Sequence, residues 1–413
     1  MRRLLLPKRC GSAIPLAMLT ILLLLATGVA LLSVGLNSRV YAMRTASGIV
    51  ARCAADAGLT IALHEMNGKL QVKPWDDSIL PQAGDANLPY SDGVCSYNVT
   101  GNVGSGYTIT SNGRCGQIRK FVRATIGLQG MFDHAILTRN SLILKSGTSI
   151  DGYNSQDPLD TDVDLVIGTQ STSAASIVLN TGVTVDGDIV VGAGGDPSTV
   201  IKDLGATTTG LQYADTAQDP LPRITAPTDL FDKHTDISVQ GGQTVVLTPA
   251  GNGQYSQIVL KQGTTPARLE ISGGDVVLHI TGDIVLGQSC EIIIKDGSTL
   301  TLYADGNINC RESSGINPEY STQPVQTLQL YATGQSTQLF DLKAKSQWTG
   351  VVYAPNASVN LYAGGDVYGA FVADTFEFKA GGNYHYDEAI REVQVDDEGI
   401  RFVVVRWEEG NLE

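Results

Sequence analysis

The chain has 413 residues, 42% of them hydrophobic and only 17% charged, where a typical globular domain carries about 25% charge. That composition excludes a disordered or collagen-like chain and leaves room for two or three domains. A net charge of -14 argues against a nucleic-acid partner, because phosphate contacts need Lys and Arg.

The charge is unevenly placed. Residues 1–55 contain Arg2, Arg3, Lys8, Arg9, Arg39, Arg44 and Arg52 and no acid, a charge of +7 that leaves -21 for the rest. Between Ser12 and Ser38 there is no charged residue. This predicts a helix long enough to cross a membrane, which takes about 20 apolar residues. The basic residues before it put the N-terminus in the cytoplasm and the acidic bulk outside. The competing reading is a cleaved secretory signal with Val40-Tyr41-Ala42 as its cleavage site, but the apolar run exceeds the roughly 7–15 residues of an ordinary signal core. The helical period continues through Val40, Met43, Ser47, Val50, Ala54, Ala57 and Ile61, and no proline falls between Pro15 and Pro74. One helix over 12–66 is predicted. Its small residues (Ala46, Gly48, Ala51, Ala54, Ala55, Ala57, Gly58) suggest close packing with helices of other chains; a simple stalk is the alternative.

These residues carry a family resemblance. The basic leader ending in Gly11, followed by Ser12-Ala13-Ile14 and the apolar run, resembles a class III prepilin leader. Ala54-Ala55-Asp56-Ala57-Gly58-Leu59 resembles the motif after the membrane helix of PilX-type minor pilins of type IV pili. The resemblance implies cleavage by a prepilin peptidase between Gly11 and Ser12. It also implies partners among other pilin-like subunits. The family's assembly carboxylate at the fifth mature position is replaced by Leu16. That departure is shared with tip-located minor pilins and with the K-type pseudopilin of type II secretion.

Residues 67–93 read as loop. In 95–115, CSYNVTGNVGSGYTITSNGRC, a hairpin folded about Ser105 would place Cys95 opposite Cys115 and Val99 opposite Ser111. A disulfide between Cys95 and Cys115 is expected from that register, with two unrelated thiols as the alternative. A strand over 117–128 follows.

Residues 131–390 show short apolar runs punctuated by Gly, Asp and Asn. Phrases recur: Asp186-Gly187-Asp188-Ile189-Val190 with Thr281-Gly282-Asp283-Ile284-Val285, and Gly273-Gly274-Asp275-Val276 with Gly364-Gly365-Asp366-Val367. Repeated strand–turn units predict a right-handed β-helix, that is, a β-solenoid; a tandem of β-sandwiches is the competing architecture. Cys290 and Cys310, 20 apart, fit one turn of such a coil and a second disulfide. Val351-Val352-Tyr353-Ala354-Pro355-Asn356-Ala357 and Tyr384-His385-Tyr386-Asp387-Glu388 resemble the β-helical C-terminal domain found on PilX-type N-termini. No chemistry comes with that resemblance.

The expected fold class is therefore mainly β: a long N-terminal transmembrane α-helix, a small hairpin module, then the β-helix. The segments are a leader 1–11, helix 12–66, loop and hairpin module 67–130, β-helix 131–392 and C-terminal strand 393–413. No catalytic constellation is recognised, and an enzyme is not expected. His134, His234, His279 and His385 are scattered, and His385 beside Asp387 and Glu388 reads as a capping network. Asp160, Asp162 and Asp164 form a weak calcium candidate, since alternate carboxylates suit Ca²⁺; a solvated loop is the plainer reading, and no other cofactor is expected. Tyr303, Tyr331, Tyr353, Tyr362 and Tyr368 form either an exposed carbohydrate-binding stripe or buried ladders. The leading function is a membrane-anchored minor pilin or pseudopilin at a filament tip. The alternative is a membrane-anchored extracellular β-helix that is adhesive or carbohydrate-active.

Overall fold

The computed structural model describes residues 13–157, 159, 163–218, 221–318, 324–344, 347–397 and 399–411. They divide into two compact units, Met1–Leu128 with Arg401–Glu413, and Gln129–Ile400. The protein is mainly β with one long apolar N-terminal helix.

In the first unit, α1 runs unbroken over Ala13–Lys69, 57 residues or about 85 Å at 1.5 Å per residue. Its second half lies on a five-stranded sheet. Four of the strands, β1 (Gln82–Asn87), β2 (Val94–Asn102), β3 (Gly106–Cys115) and β4 (Ile118–Gln129), pair antiparallel in that order. The C-terminal strand Arg401–Asn411 takes the edge beside β4. One reading changes here: the segment expected to be loop contains β1, whose sequence QAGDAN carries no apolar alternation. The C-terminal strand belongs to this sheet and not to the larger unit.

Small residues let the helix approach the sheet. Ala51, Ala54, Ala55, Leu59, Ala62 and Met66 are buried, against the β3 face formed by Tyr107, Ile109 and Ser111. A methyl group on Gly113 would sit 1.9 Å from the Ala51 carbonyl oxygen and 2.4 Å from the Ala55 nitrogen. Much of the small-residue stripe is thus spent inside the chain. Ala46 is exposed, with Gly48 and Ala57 half-buried. At the far end of the helix, the Asn67 side chain substitutes for a strand: its amide donates to the Phe402 carbonyl at 3.1 Å and its oxygen accepts the Phe402 N–H at 2.6 Å. Trp75, Tyr107 and Phe402 close this corner with ring centroids 5.3–6.0 Å apart.

The second unit is a stack of parallel strands. One core row passes through Ile237, Ile258, Ile284, Ile308, Phe340, Val359 and Phe376, each the register partner of the next. It then continues from Phe376 to Leu142, Ile177 and Ile201. All ten are buried, the pattern expected of parallel strands covered on the inner face. The chain order is therefore permuted. The last rung, Val367–Phe378, pairs with the first, Ile136–Leu144, so both ends of the unit enter and leave in the middle of the stack.

A connecting strap makes the permutation possible. Between Ala214 and Ile237 the chain travels from one end of the stack to the other. The Leu221 carbonyl accepts from Arg139 at 3.1 Å, the Pro222 carbonyl from the Tyr353 hydroxyl at 2.7 Å. Arg223 donates to Gln335 at 2.8 Å and to the Thr333 carbonyl at 3.3 Å. Lys233 and Phe231 pair with the backbone of Gln254.

The recurring Asp residues hold neighbouring rungs together. Asp188 accepts the Leu211 N–H at 2.7 Å and Asp283 the Asn307 N–H at 2.8 Å. Asp275 accepts from the Thr299 hydroxyl at 2.8 Å and Asp366 from the Asn383 amide at 2.9 Å. The repeated phrase is thus a carboxylate that satisfies a polar group on the next rung.

Candidate functional site

The most distinctive element is the first half of α1. Ile14, Leu16, Met18, Leu22, Leu24, Leu31 and Leu32 are all between 65 and 75% exposed. A soluble protein does not leave so large an apolar surface uncovered. The helix is long and apolar enough to cross a membrane. The two threonines of its first half do not oppose that: Thr20 donates back to the Ala17 carbonyl at 2.8 Å and Thr27 to the Leu23 carbonyl at 3.0 Å, so neither hydroxyl needs water. The buried row (Ala51, Ala54, Ala55, Leu59, Ala62, Met66) is rotated from the expected Val50–Ala54–Ala57–Ile61 face, and Ile61 is 40% exposed. Gly11 and Ser12, the expected processing pair, lie outside the described residues.

Neither expected disulfide is formed; Cys53, Cys95, Cys115, Cys290 and Cys310 are free thiols. The hairpin register is slipped by two residues from the symmetry about Ser105. Asn102 pairs with Gly106, so Cys95 faces Gly113 and Val99 faces Ile109. An even shift keeps each side chain on its original face, which is why the apolar pattern does not reveal it. In the larger unit Cys310 stacks on Leu286, 24 positions back and not 20. Burial pushes the Cys310 thiol up to about 12. Maleimide should accordingly label Cys53 and Cys115 in the folded chain and reach Cys95, Cys290 and Cys310 only after denaturation. Protection of Cys53, or labelling of Cys310 without denaturant, would contradict this arrangement.

The weak calcium candidate is not assembled by anything described. Asp160 and Asp162 lie outside the described residues. The Asp164 side chain is 85% exposed, 3.9 Å from Arg391. The tyrosine stripe divides. Tyr303, Tyr331 and Tyr353 are buried, the first two stacked at 5.2 Å, and Tyr353 is held by the strap. Tyr362 and Tyr368 stay partly exposed.

His385 also departs from its expected partners. Asp387 caps a short turn, accepting from Ser155 N at 3.0 Å and Ala389 N at 3.2 Å, and Glu388 pairs with Arg391 at 3.3 Å. His385 instead meets Asp151 at 2.5 Å and Asp366 at 3.8 Å, with its ring stacked on Tyr368 at 4.7 Å. Asp151 belongs to the first rungs of the unit and His385 to the last. The hydrogen bond to Asp151 outweighs burial and raises the His385 pKa above 6.5. A raised folded pKa stabilises fully below the ordinary value, and that stabilisation is lost as pH rises through the folded one. The thermal midpoint gap between the native chain and His385→Gln should therefore be larger at about pH 5.5 than at about pH 9. An equal gap at both would exclude the charged pair.

Fold and site together define a mainly β protein with a helix suited to a membrane and a separate unit of stacked parallel strands. A family profile described as a domain of unknown function (DUF7305) matches residues 223–393. That stretch runs from Arg223 of the strap through the final rungs and leaves out the helix. No curated protein matches the chain. Among solved structures, the competence-associated pilin ComZ from Thermus thermophilus aligns over 89% of this chain and 98% of that chain, at 14% identity and a TM-score of 0.24. At that score the superposition carries no argument about fold.

Proposed function

We propose that this chain is a minor pilin or pseudopilin-like structural subunit, anchored in the bacterial cytoplasmic membrane and incorporated at low copy near the tip of a type IV pilus or type II secretion-like filament. The observation that carries the reading is the course of α1. One helix passes without a break from an exposed, uncharged half to a half packed on an antiparallel sheet, so a membrane anchor and a folded head share one rigid element. In this reading the basic N-terminus faces the cytoplasm. A prepilin peptidase cuts after Gly11, and the exposed half of the helix packs among neighbouring subunits. The parallel stack is a right-handed β-helix displayed outside, right-handed because parallel crossovers almost always are. Leu16 in place of the assembly carboxylate, and about 350 residues beyond the helix, favour a capping position where nothing stacks above.

Co-expression with a prepilin peptidase followed by N-terminal sequencing tests it. The mature chain should begin at Ser12; a start at Met43 would instead support a secretory signal. Purified filaments should hold this chain far below one copy per major subunit, and equimolar recovery would overturn the tip position.

A further inference from the structure

The register of the second unit gathers positive charge that the sequence scatters. The position after each core residue of one face points outward. Along that row the strand pairings align Lys261, Gly287, Arg311, Lys343, Tyr362, Lys379 and Lys145 on seven successive rungs. Five cations thus share one line on a unit that carries 13 Lys and Arg against 33 Asp and Glu. At about 4.8 Å per rung the line is roughly 29 Å long.

The cations of this row are under-neutralised, and those elsewhere are mostly engaged. Arg268 pairs with Glu291, Lys295 with Glu270 and Arg391 with Glu388, while Arg139 holds the strap and Arg223, on the strap, is bonded to Gln335 and the Thr333 carbonyl. In the row, Lys145 and Lys379 share the carboxylate of Glu377 at 2.9 and 3.0 Å, with Asp341 acting on Lys379 at longer range. Lys343 and Lys379 lie 5.1 and 5.7 Å from the Tyr362 ring centroid. No carboxylate among the described residues pairs with Lys261, Arg311 or Lys343.

We infer that this row is a docking track for an acidic polysaccharide lying along the stack. A rung spacing close to the length of one sugar ring lets a polymer with one carboxylate per ring meet the cations in step. A nucleic acid fits less well. Its phosphates, one per about 3.4 Å of strand, fall out of step with a rung every ~4.8 Å, and Tyr362, covered by two lysines, offers no open platform for bases. The inference does not depend on the anchor reading, since it rests on the second unit alone.

The test uses the full chain in detergent with fluorescein-labelled polygalacturonate, read by anisotropy. Saturable binding is expected at low salt. It should weaken at least about tenfold when salt is raised severalfold, as screening requires. Replacing Arg311, Lys343 and Lys379 by Gln should cost at least about tenfold in Kd, replacing Lys343 and Lys379 by Arg should keep binding, and replacing Lys202 and Lys233 by Gln should change nothing. An unchanged thermal midpoint in the Gln variant shows that its loss of binding is not misfolding, and the Arg variant shows that the positive charge is what the polymer meets. No binding of polygalacturonate, equal binding of neutral dextran, equal loss in the Lys202/Lys233 variant, or tighter binding of a single-stranded oligonucleotide would each overturn the proposal.

Discussion

Replacing Gly113 by valine should separate α1 from its sheet. The first added carbon would lie 1.9 Å from the Ala51 carbonyl oxygen and 2.4 Å from the Ala55 nitrogen. These are helix backbone atoms, which cannot turn aside as a flexible side chain can. Overpacking ordinarily costs about 1–3 kcal/mol; here a whole helix must shift, so about 3 kcal/mol or more is expected. Protease sensitivity of the segment around Ala51–Met66 should rise sharply and the thermal midpoint of the first unit should fall. Gly48→Ala supplies the contrast. Nothing lies within 4 Å of a methyl group at that position, and the helix gains about 0.5–1 kcal/mol from lost glycine entropy. A Gly113→Val chain as protease-resistant as the native one would show that the helix does not rest on β3.

Tyr384→Ala should open the second unit at the place where its first and last rungs meet. Tyr384 is fully buried, and its hydroxyl donates to the Ala135 carbonyl at 2.7 Å and the Gly369 carbonyl at 3.0 Å. Nearby, Tyr386 is also fully buried and donates to the Phe132 carbonyl at 2.7 Å. Truncating a buried aromatic to alanine costs about 3–5 kcal/mol. Tyr384→Phe keeps the ring and loses the hydroxyl, for about 1–2 kcal/mol. Hydrogen exchange at the paired strands Ile136–Leu144 and Val367–Phe378 should accelerate strongly in the alanine variant and mildly in the phenylalanine variant. Equal effects from the two would mean that the ring contributes nothing to the closure, against the packing described.

What was legible in the sequence was set by local patterning. The uncharged run after Ser12, the absence of proline between Pro15 and Pro74, and a helical period beyond the apolar stretch specify α1 by themselves, because helix formation depends on near neighbours. Alternating apolar residues over 117–128 likewise specify β4, where Val122, Ala124 and Ile126 are buried. The repeated Gly-Asp phrases announce stacked strand–turn units.

Tertiary structure decided everything that depends on which strand meets which. The stretch of chain between stacked partners changes from rung to rung, from Val359 with Phe376 to Leu142 with Ile177, so no fixed period could be counted. Cys290 and Cys310 were matched on such a count and fall on different lines. The hairpin register moved by an even step that apolar alternation cannot detect, because a two-residue slip leaves every side chain on its face. The permuted rung order depends on a strap whose carbonyls are held by Arg139 and Tyr353, residues 82 and 131 positions away from their partners. The row of cations from Lys261 to Lys145 has no signature along the chain at all. Its members lie on separate turns, and parallel pairing alone brings them into line.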